Sequence, residues 1–329
     1  MSRRRSLALL TTAMVAATAF ASPAAAQDPE ELVIGFVPSR EADQLVESIQ
    51  PLADYLSEAL GVPVEGFVST DYTALVTAME TGQAQFAALP PFGLVQAVDR
   101  AGAEMILQSE RFGSPSYHTQ FFTTDVEKYC ADEPVENERL ENEEMLTFLN
   151  CNGTDRAFDE SLIGPIGTEA LTAVEPGTEV SFVEQTSSSG YIFPATVFAT
   201  VAGLDPETDI NALFAGSHDA SVIAVCMGQA EVGVSFDDAR QDAITDCDVA
   251  GTVVTFANGP EIPNDGMAVA GDLSDELKAS IKQAMLDYAE TEEGVAVLES
   301  IYNITAFAEP VQESLQIIRD AVAELGYGS

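Results

Sequence analysis

Leu32-Val33-Ile34-Gly35-Phe36-Val37 is a run of six residues without a polar side chain, and the residues behind it decide the fold. A continuous apolar run this short, rich in β-branched residues, suits a strand buried on both faces. Next, Leu45, Ile49, Leu52, Leu56 and Leu60 recur at spacings of 4, 3, 4 and 4, which makes one apolar stripe along a helix. Gly61 stands where a helix C-terminal glycine belongs. Pro63 to Val68 reads as a second strand. Thr70-Asp71-Tyr72 opens a second helix that Gly82 closes, Phe86 to Leu89 is a third strand, and Phe92 to Arg100 a third helix. A β-α-β-α-β series of this kind implies a parallel sheet with right-handed crossovers.

Further along, the same alternation returns. Val180-Ser181-Phe182-Val183 is strand-like, Ser187-Ser188-Ser189-Gly190 follows, and a helical run leads from Tyr191 towards Val201. Ser217-His218-Asp219 precedes a helix ending near Cys226, and Val232 to Phe236 and Thr252 to Phe256 read as strands. Pro263-Asn264-Asp265-Gly266 is a turn leading to a strand from Met267 to Ala270, and two long helices close the chain, the first capped by Ser274. The chain is therefore expected to be α/β.

Residues 1–26 read as an export signal: Arg3, Arg4 and Arg5, then a short apolar stretch from Leu7 to Phe20, then Ala24-Ala25-Ala26, with cleavage expected after Ala26. Of 13 Lys plus Arg, this leader holds three, so the mature chain carries 10 cations against 54 acids, a formal charge of 10 − 54 = −44. Such a balance excludes nucleic acid and anionic membrane surfaces as partners, because both require clustered cations. It suits a salt-rich medium, where screening relieves self-repulsion. No run of 18 apolar residues is present.

Export places the four cysteines in an oxidising compartment. Cys130 and Cys151 are 21 apart, as are Cys226 and Cys247. Of the three possible pairings the two local ones are expected, each worth roughly 3 kcal/mol by loop entropy. The alternative, a zinc site, lacks any C-x-x-C pattern. Between Asp125 and Glu160 the chain holds 12 acids against 3 bases, and this stretch reads as an excursion stapled to itself.

The chemistry points to an anion. Three hydroxyls at a strand-to-helix junction, Ser187, Ser188 and Ser189, stand beside unpaired backbone N–H groups, a natural seat for a tetrahedral oxyanion, although taken alone they are also an ordinary helix cap. Thr70-Asp71-Tyr72 and Ser217-His218-Asp219 are further helix starts of the same kind, and such turns gather at the carboxyl ends of strands. Asp238 and Asp265 would suit an ammonium on the same ligand; each taken alone is also an ordinary surface acid. No G-x-S-x-G elbow, Walker loop, H-E-x-x-H or G-x-G-x-x-G is present, so no enzyme, metal or cofactor is expected. Ser188, His218 and Asp238 supply the residue types of a hydrolytic triad, but a triad is defined by geometry.

With these features in place, the chain resembles the substrate-binding proteins of phosphate/phosphite/phosphonate ABC transporters. The likeness runs over residues 31–325 apart from about 126–166. It is carried by Ile34-Gly35-Phe36-Val37-Pro38, Pro51-Leu52-Ala53-Asp54-Tyr55-Leu56, Thr70-Asp71-Tyr72, Ser114-Pro115-Ser116-Tyr117, Thr186 to Tyr191, Ala215 to Ala220 and Ile262-Pro263-Asn264-Asp265, in that order. The resemblance implies a type II periplasmic-binding-protein fold: two lobes, each a mixed sheet flanked by helices, joined by a hinge. Lobe one is expected from residues 27–120 plus 258–329, and lobe two from 121–257 with an acidic, disulfide-stapled insertion at about 126–166. It also implies a monomer that captures a phosphonate, phosphite or phosphate and delivers it to an ABC permease. Ser187, Ser188, Ser189 and His218 are expected to hold the oxyanion, Tyr72 and Tyr117 to close over it, and Asp238 and Asp265 to bind an amino end. In a chain this acidic, neutral donors and helix dipoles would hold the anion without a buried cation. The other readings are a receptor for a different anion, such as a sulfonate, or a ligand-sensing partner of a receptor.

Overall fold

In a computed structural model that describes residues 28–326 apart from 41, 112, 142–143, 152, 155–163 and 245–246, the opening apolar run is β1, Leu32–Phe36. It pairs in parallel with β2 (Val64–Val68) and β3 (Phe86–Leu89). The helix Ala42–Leu60 connects the first two, with Leu45, Ile49, Leu52 and Leu56 all buried against the sheet. β4 (Glu104–Glu110) joins the same layer, and the chain then crosses into a second one through residues 111–115. The leader expected over residues 1–26, and residues 155–163 of the acidic stretch, lie outside the described residues. Among the described residues no helix is long and apolar enough to cross a membrane.

The second layer contains β5 (Ser116–Thr123), β6 (Val135–Glu141), β7 (Glu144–Asn150), β8 (Glu179–Phe182), β9 (Asn211–Phe214), β10 (Val232–Phe236) and β11 (Val254–Pro263). The chain returns through Asn264 and Asp265 to β12 (Gly266–Val269) and β13 (Ala306–Ala308). The two sheets have the orders β13-β4-β12-β3-β1-β2 and β6-β7-β11-β5-β10-β8-β9. Both are mixed: β12 runs antiparallel to β3 and β4, and β5 antiparallel to β10 and β11. Two lobes joined by two crossing segments result.

The boundaries expected at 120/121 and 257/258 differ from this sheet membership. Residues 116–120 and 258–263 belong to β5 and β11, which pair with each other in the second layer, so the crossings fall at 111–115 and 264–265. The acidic stretch also does more than fold on itself. β6 and β7 form a hairpin, and β7 pairs in parallel with β11 through Leu149 and Asn150, which adds two strands to the edge of the sheet. Cys130–Cys151 and Cys226–Cys247 are both disulfide-bonded, so the local pairings stand. Three helices rather than two close the chain, Asp275–Ala289, Glu292–Tyr302 and Gln312–Glu324, and all of them pack on lobe one.

Candidate ligand-binding site

Each expected helix start forms, and for the local reason its sequence gives. Asp71 caps the helix Tyr72–Glu80, its carboxylate accepting from Ala74 N at 2.7 Å. Ser217 caps His218–Cys226, its hydroxyl accepting from Ala220 N at 3.4 Å. Ser187 caps the helical run that begins at Ser188, accepting from Gly190 N at 3.1 Å. Gly190 is needed there: a Cβ would stand 2.4 Å from Val183 Cβ, so any side chain would drive the helix off β8. The last two of these starts meet in the cleft between the lobes, where a cavity of about 670 Å³ is lined by Ser187, Ser189, His218, Tyr117, Asp237 and Asp265, among others.

His218 is buried and its Nδ1 lies 2.7 Å from Ser235 Oγ on β10. Burial, with Arg40 and Arg111 nearby, pushes its pKa down to about 3, so the ring is neutral at ordinary pH. In the tautomer where the Ser235 hydroxyl donates to Nδ1, Nε2 carries the ring proton and can donate; in the other, Nδ1–H donates to Ser235 Oγ and Nε2 accepts. Tyr117 lines the cavity beside Ser189 and Arg111, whose guanidinium lies 5.5 Å over the phenol ring. Tyr72 is not part of the lining, yet its hydroxyl is buried with no hydrogen-bond partner. Burial first, and then Tyr302, Glu184, Asp265 and Tyr117, keep that phenol protonated.

Three expected contacts take a different form. Ser188 does not line the cavity; its Oγ accepts from Phe92 N of lobe one at 3.0 Å. It therefore joins the lobes, as does the 3.0 Å bond from His218 N to Ser39 O and the 3.3 Å ion pair of Arg40 with Asp242. The Asp238 carboxylate has no exposed surface. Arg240 grips it through Nε at 2.9 Å and through a terminal nitrogen at 2.6 Å. Burial alone would raise the Asp238 pKa, but the guanidinium wins and holds it below the ordinary value. Asp265 is bound by Arg111 at 2.5 Å, and Arg111 is fixed in turn by Asn264 Oδ1 at 3.0 Å and Tyr302 O at 2.8 Å. Asp238 is thus wholly taken up by Arg240, while Asp265 gives Oδ2 to Arg111 and still lines the cavity.

Sequence reasoning missed the cations. Arg40, Arg111 and Arg139 all line the cavity, so its lining is not made of neutral donors alone. It also missed Asp237, which accepts from His118 N at 2.9 Å and lies 3.2 Å from His118 Nδ1. One signal was in plain sight: in a chain of 54 acids and 13 cations, an arginine beside a strand end is informative. Arg111 follows β4 directly, and Arg40 comes four residues after β1.

Comparison with known proteins places this geometry in context. The sequence model of the family described as "ABC transporter, phosphonate, periplasmic substrate-binding protein" matches residues 34–315. A phosphate-import protein, PhnD, of Mycolicibacterium smegmatis is 27% identical over 242 residues, 70% of this chain and 63% of its own length. The phosphonates-binding periplasmic protein of Escherichia coli is 23% identical over 299 residues, 89% of this chain and 77% of its own. Among solved structures, PhnD1 of Prochlorococcus marinus in complex with methylphosphonate superposes with a TM-score of 0.71 at 18% identity. That superposition covers 91% of this chain and 100% of the other, and it shows the same two-lobed type II fold.

Proposed function

The chain belongs to the family of periplasmic phosphonate-binding proteins of ABC transporters, and from that premise we propose that it is the extracytoplasmic receptor of an importer, closing its two lobes over a phosphonate or related phosphorus oxyanion. The observation that carries the reading is the meeting of two separate helix starts at one cavity. In it Ser187 and Ser189 offer hydroxyls and His218 a ring nitrogen, with the unsatisfied buried hydroxyl of Tyr72 close behind the lining. Hydrogen bonds to a charged ligand contribute about 1.5–3 kcal/mol each, so a few of them reach micromolar affinity after the cost of association. Capture also needs closure. Ser188 to Phe92 and His218 to Ser39 would be made only when the lobes meet.

The mature chain is taken to begin after Ala26 and to hand its ligand to a membrane permease as a monomer. On this reading the cavity holds and releases its ligand. Ser188, His218 and Asp238 form no triad, because Ser188 Oγ faces Phe92 N and His218 Nδ1 faces Ser235.

Calorimetric titration at high salt with methylphosphonate, phosphite, phosphate, sulfate and an alkylsulfonate tests the reading. One-to-one binding of a phosphorus compound is expected, weakened at least tenfold by Ser189→Ala with His218→Gln. Binding of the alkylsulfonate alone would move the ligand to another class.

A further inference from the structure

Ser235 puts a hydroxyl into a run that is otherwise apolar, Val232-Gly233-Val234-Ser235-Phe236, on an inner strand of lobe two. The residue has no exposed surface. A polar group buried to that degree needs a partner. Among the described residues the Ser235 hydroxyl has one, the Nδ1 of His218 at 2.7 Å. Gln120, paired with Ser235 across β5, carries a buried Oε1 that could accept, yet that oxygen has no hydrogen-bond partner.

This accounting separates the two tautomers of His218. A serine hydroxyl carries one hydrogen, and burying it without an acceptor is costly. In one tautomer Nδ1 accepts that hydrogen. In the other, Nδ1–H points at Ser235 Oγ and the serine hydrogen is left with nothing to receive it. Satisfying every group therefore assigns the ring proton to Nε2.

The ring is also held in place. Phe236 meets it edge-on, with centroids 4.8 Å apart and planes at 63°. His218 lines the cavity, and among the described residues its Nε2 has no protein partner. Because the ring stays neutral it bears a single N–H, and the nitrogen that bears it decides whether the ligand is offered a donor or a lone pair.

We propose that Ser235 is a positioning residue of the ligand site: by donating to Nδ1 it fixes His218 in the tautomer that offers Nε2–H, so that this position receives an unprotonated ligand oxygen and refuses an N–H or O–H group. This rests on the reading of the cleft as an oxyanion receptor and adds the residue that sets the polarity of one of its contacts. Without Ser235, the lone pair of Nε2 could face the oxyanion and repel it.

The test reads the tautomer directly. The chain has 2 His, so nitrogen NMR of the full mature protein with isotope-labelled histidine gives a spectrum of two imidazoles, and His218→Gln assigns it. In the ligand-free wild type, Nε2 of His218 is expected to be the protonated, pyrrole-type nitrogen and Nδ1 the pyridine-type one. In Ser235→Ala the Nδ1–H form is expected to appear, and calorimetric affinity for methylphosphonate to fall about tenfold. Ser235→Thr keeps the hydroxyl and is expected to restore both. An Nδ1–H form in the wild type, or an unchanged tautomer in Ser235→Ala whatever its affinity, overturns the proposal and leaves the receptor reading intact. A changed tautomer with unchanged affinity overturns it as well. Failure of the wild type to bind methylphosphonate, phosphite or phosphate overturns the receptor reading, and the role of Ser235 in binding with it.

Discussion

Tyr72 carries the most informative single atom in the cleft. Its hydroxyl is buried and bonded to nothing in the protein, a state that costs about 1–3 kcal/mol. Replacing it with phenylalanine removes that cost along with the oxygen. Tyr72→Phe is therefore expected to leave the ligand-free protein as stable as the wild type or about 1 kcal/mol more stable, and to weaken ligand binding about tenfold. Thermal melts and calorimetry on the same preparations check both halves. A loss of stability in the absence of ligand would show that the hydroxyl has a structural partner. At this scale, the helix starts at Ser187 and at Ser217-His218 were legible because capping chemistry is local: a hydroxyl just before a helix is visible within a few residues of sequence; Tyr117, on β5, was expected only from the resemblance. The fate of the acids was not. Asp265 finds Arg111 across 154 positions of chain, which no spacing announces. Asp238 finds Arg240 only two positions away, and that pattern was there to be read.

Among elements, the acidic hairpin departs most from expectation. Acids crowd its strands, with only Leu140, Met145, Leu146 and a few others for an apolar face, so composition alone reads as solvated loop. Pairing with β11 supplies what composition lacks, since an edge position can leave one side of a strand in water. β11 itself ran past its expected end, because Asn258-Gly259-Pro260 looks like a turn; two register shifts against β5 absorb those residues without breaking the pair. The hairpin's base is closed by a disulfide spanning 21 positions. Cys130→Ser with Cys151→Ser is expected to lower unfolding stability by about 3 kcal/mol, read as a lower denaturant midpoint. An unchanged midpoint would mean that pairing to β11 alone holds the hairpin.

The whole molecule works against its own ligand at long range. The chain's formal charge of −41 repels an approaching anion until the last few ångströms, where the cleft arginines and hydroxyls take over. Association is therefore expected to accelerate as salt is added from tens of millimolar to molar, with dissociation changing less. Stopped-flow mixing at several ionic strengths checks this, and a slowing with salt would show that the local arginines dominate the field. The alternation of strands and helices was legible from β1 to β3 and again at β8, β10 and β12, because a buried strand or an apolar helix stripe is written in consecutive residues; β4, β5, β9 and β13 were not read. The lobe boundaries were not, since a strand's partner decides its lobe.

Arg111 and Asp265 sit on the two straps where the chain crosses between lobes, and Asn264 Nδ2 donates to Ser114 O at 2.8 Å beside them. The hinge is laced together by the same side chains that face the ligand. Its stiffness is thus adjustable from inside the cleft, like a torsion spring whose anchor is also the trigger. A molecule that pulled Asp265 away from Arg111 would occupy the cleft and at the same time unlace the straps, filling the receptor while slackening the lever that must report it as full.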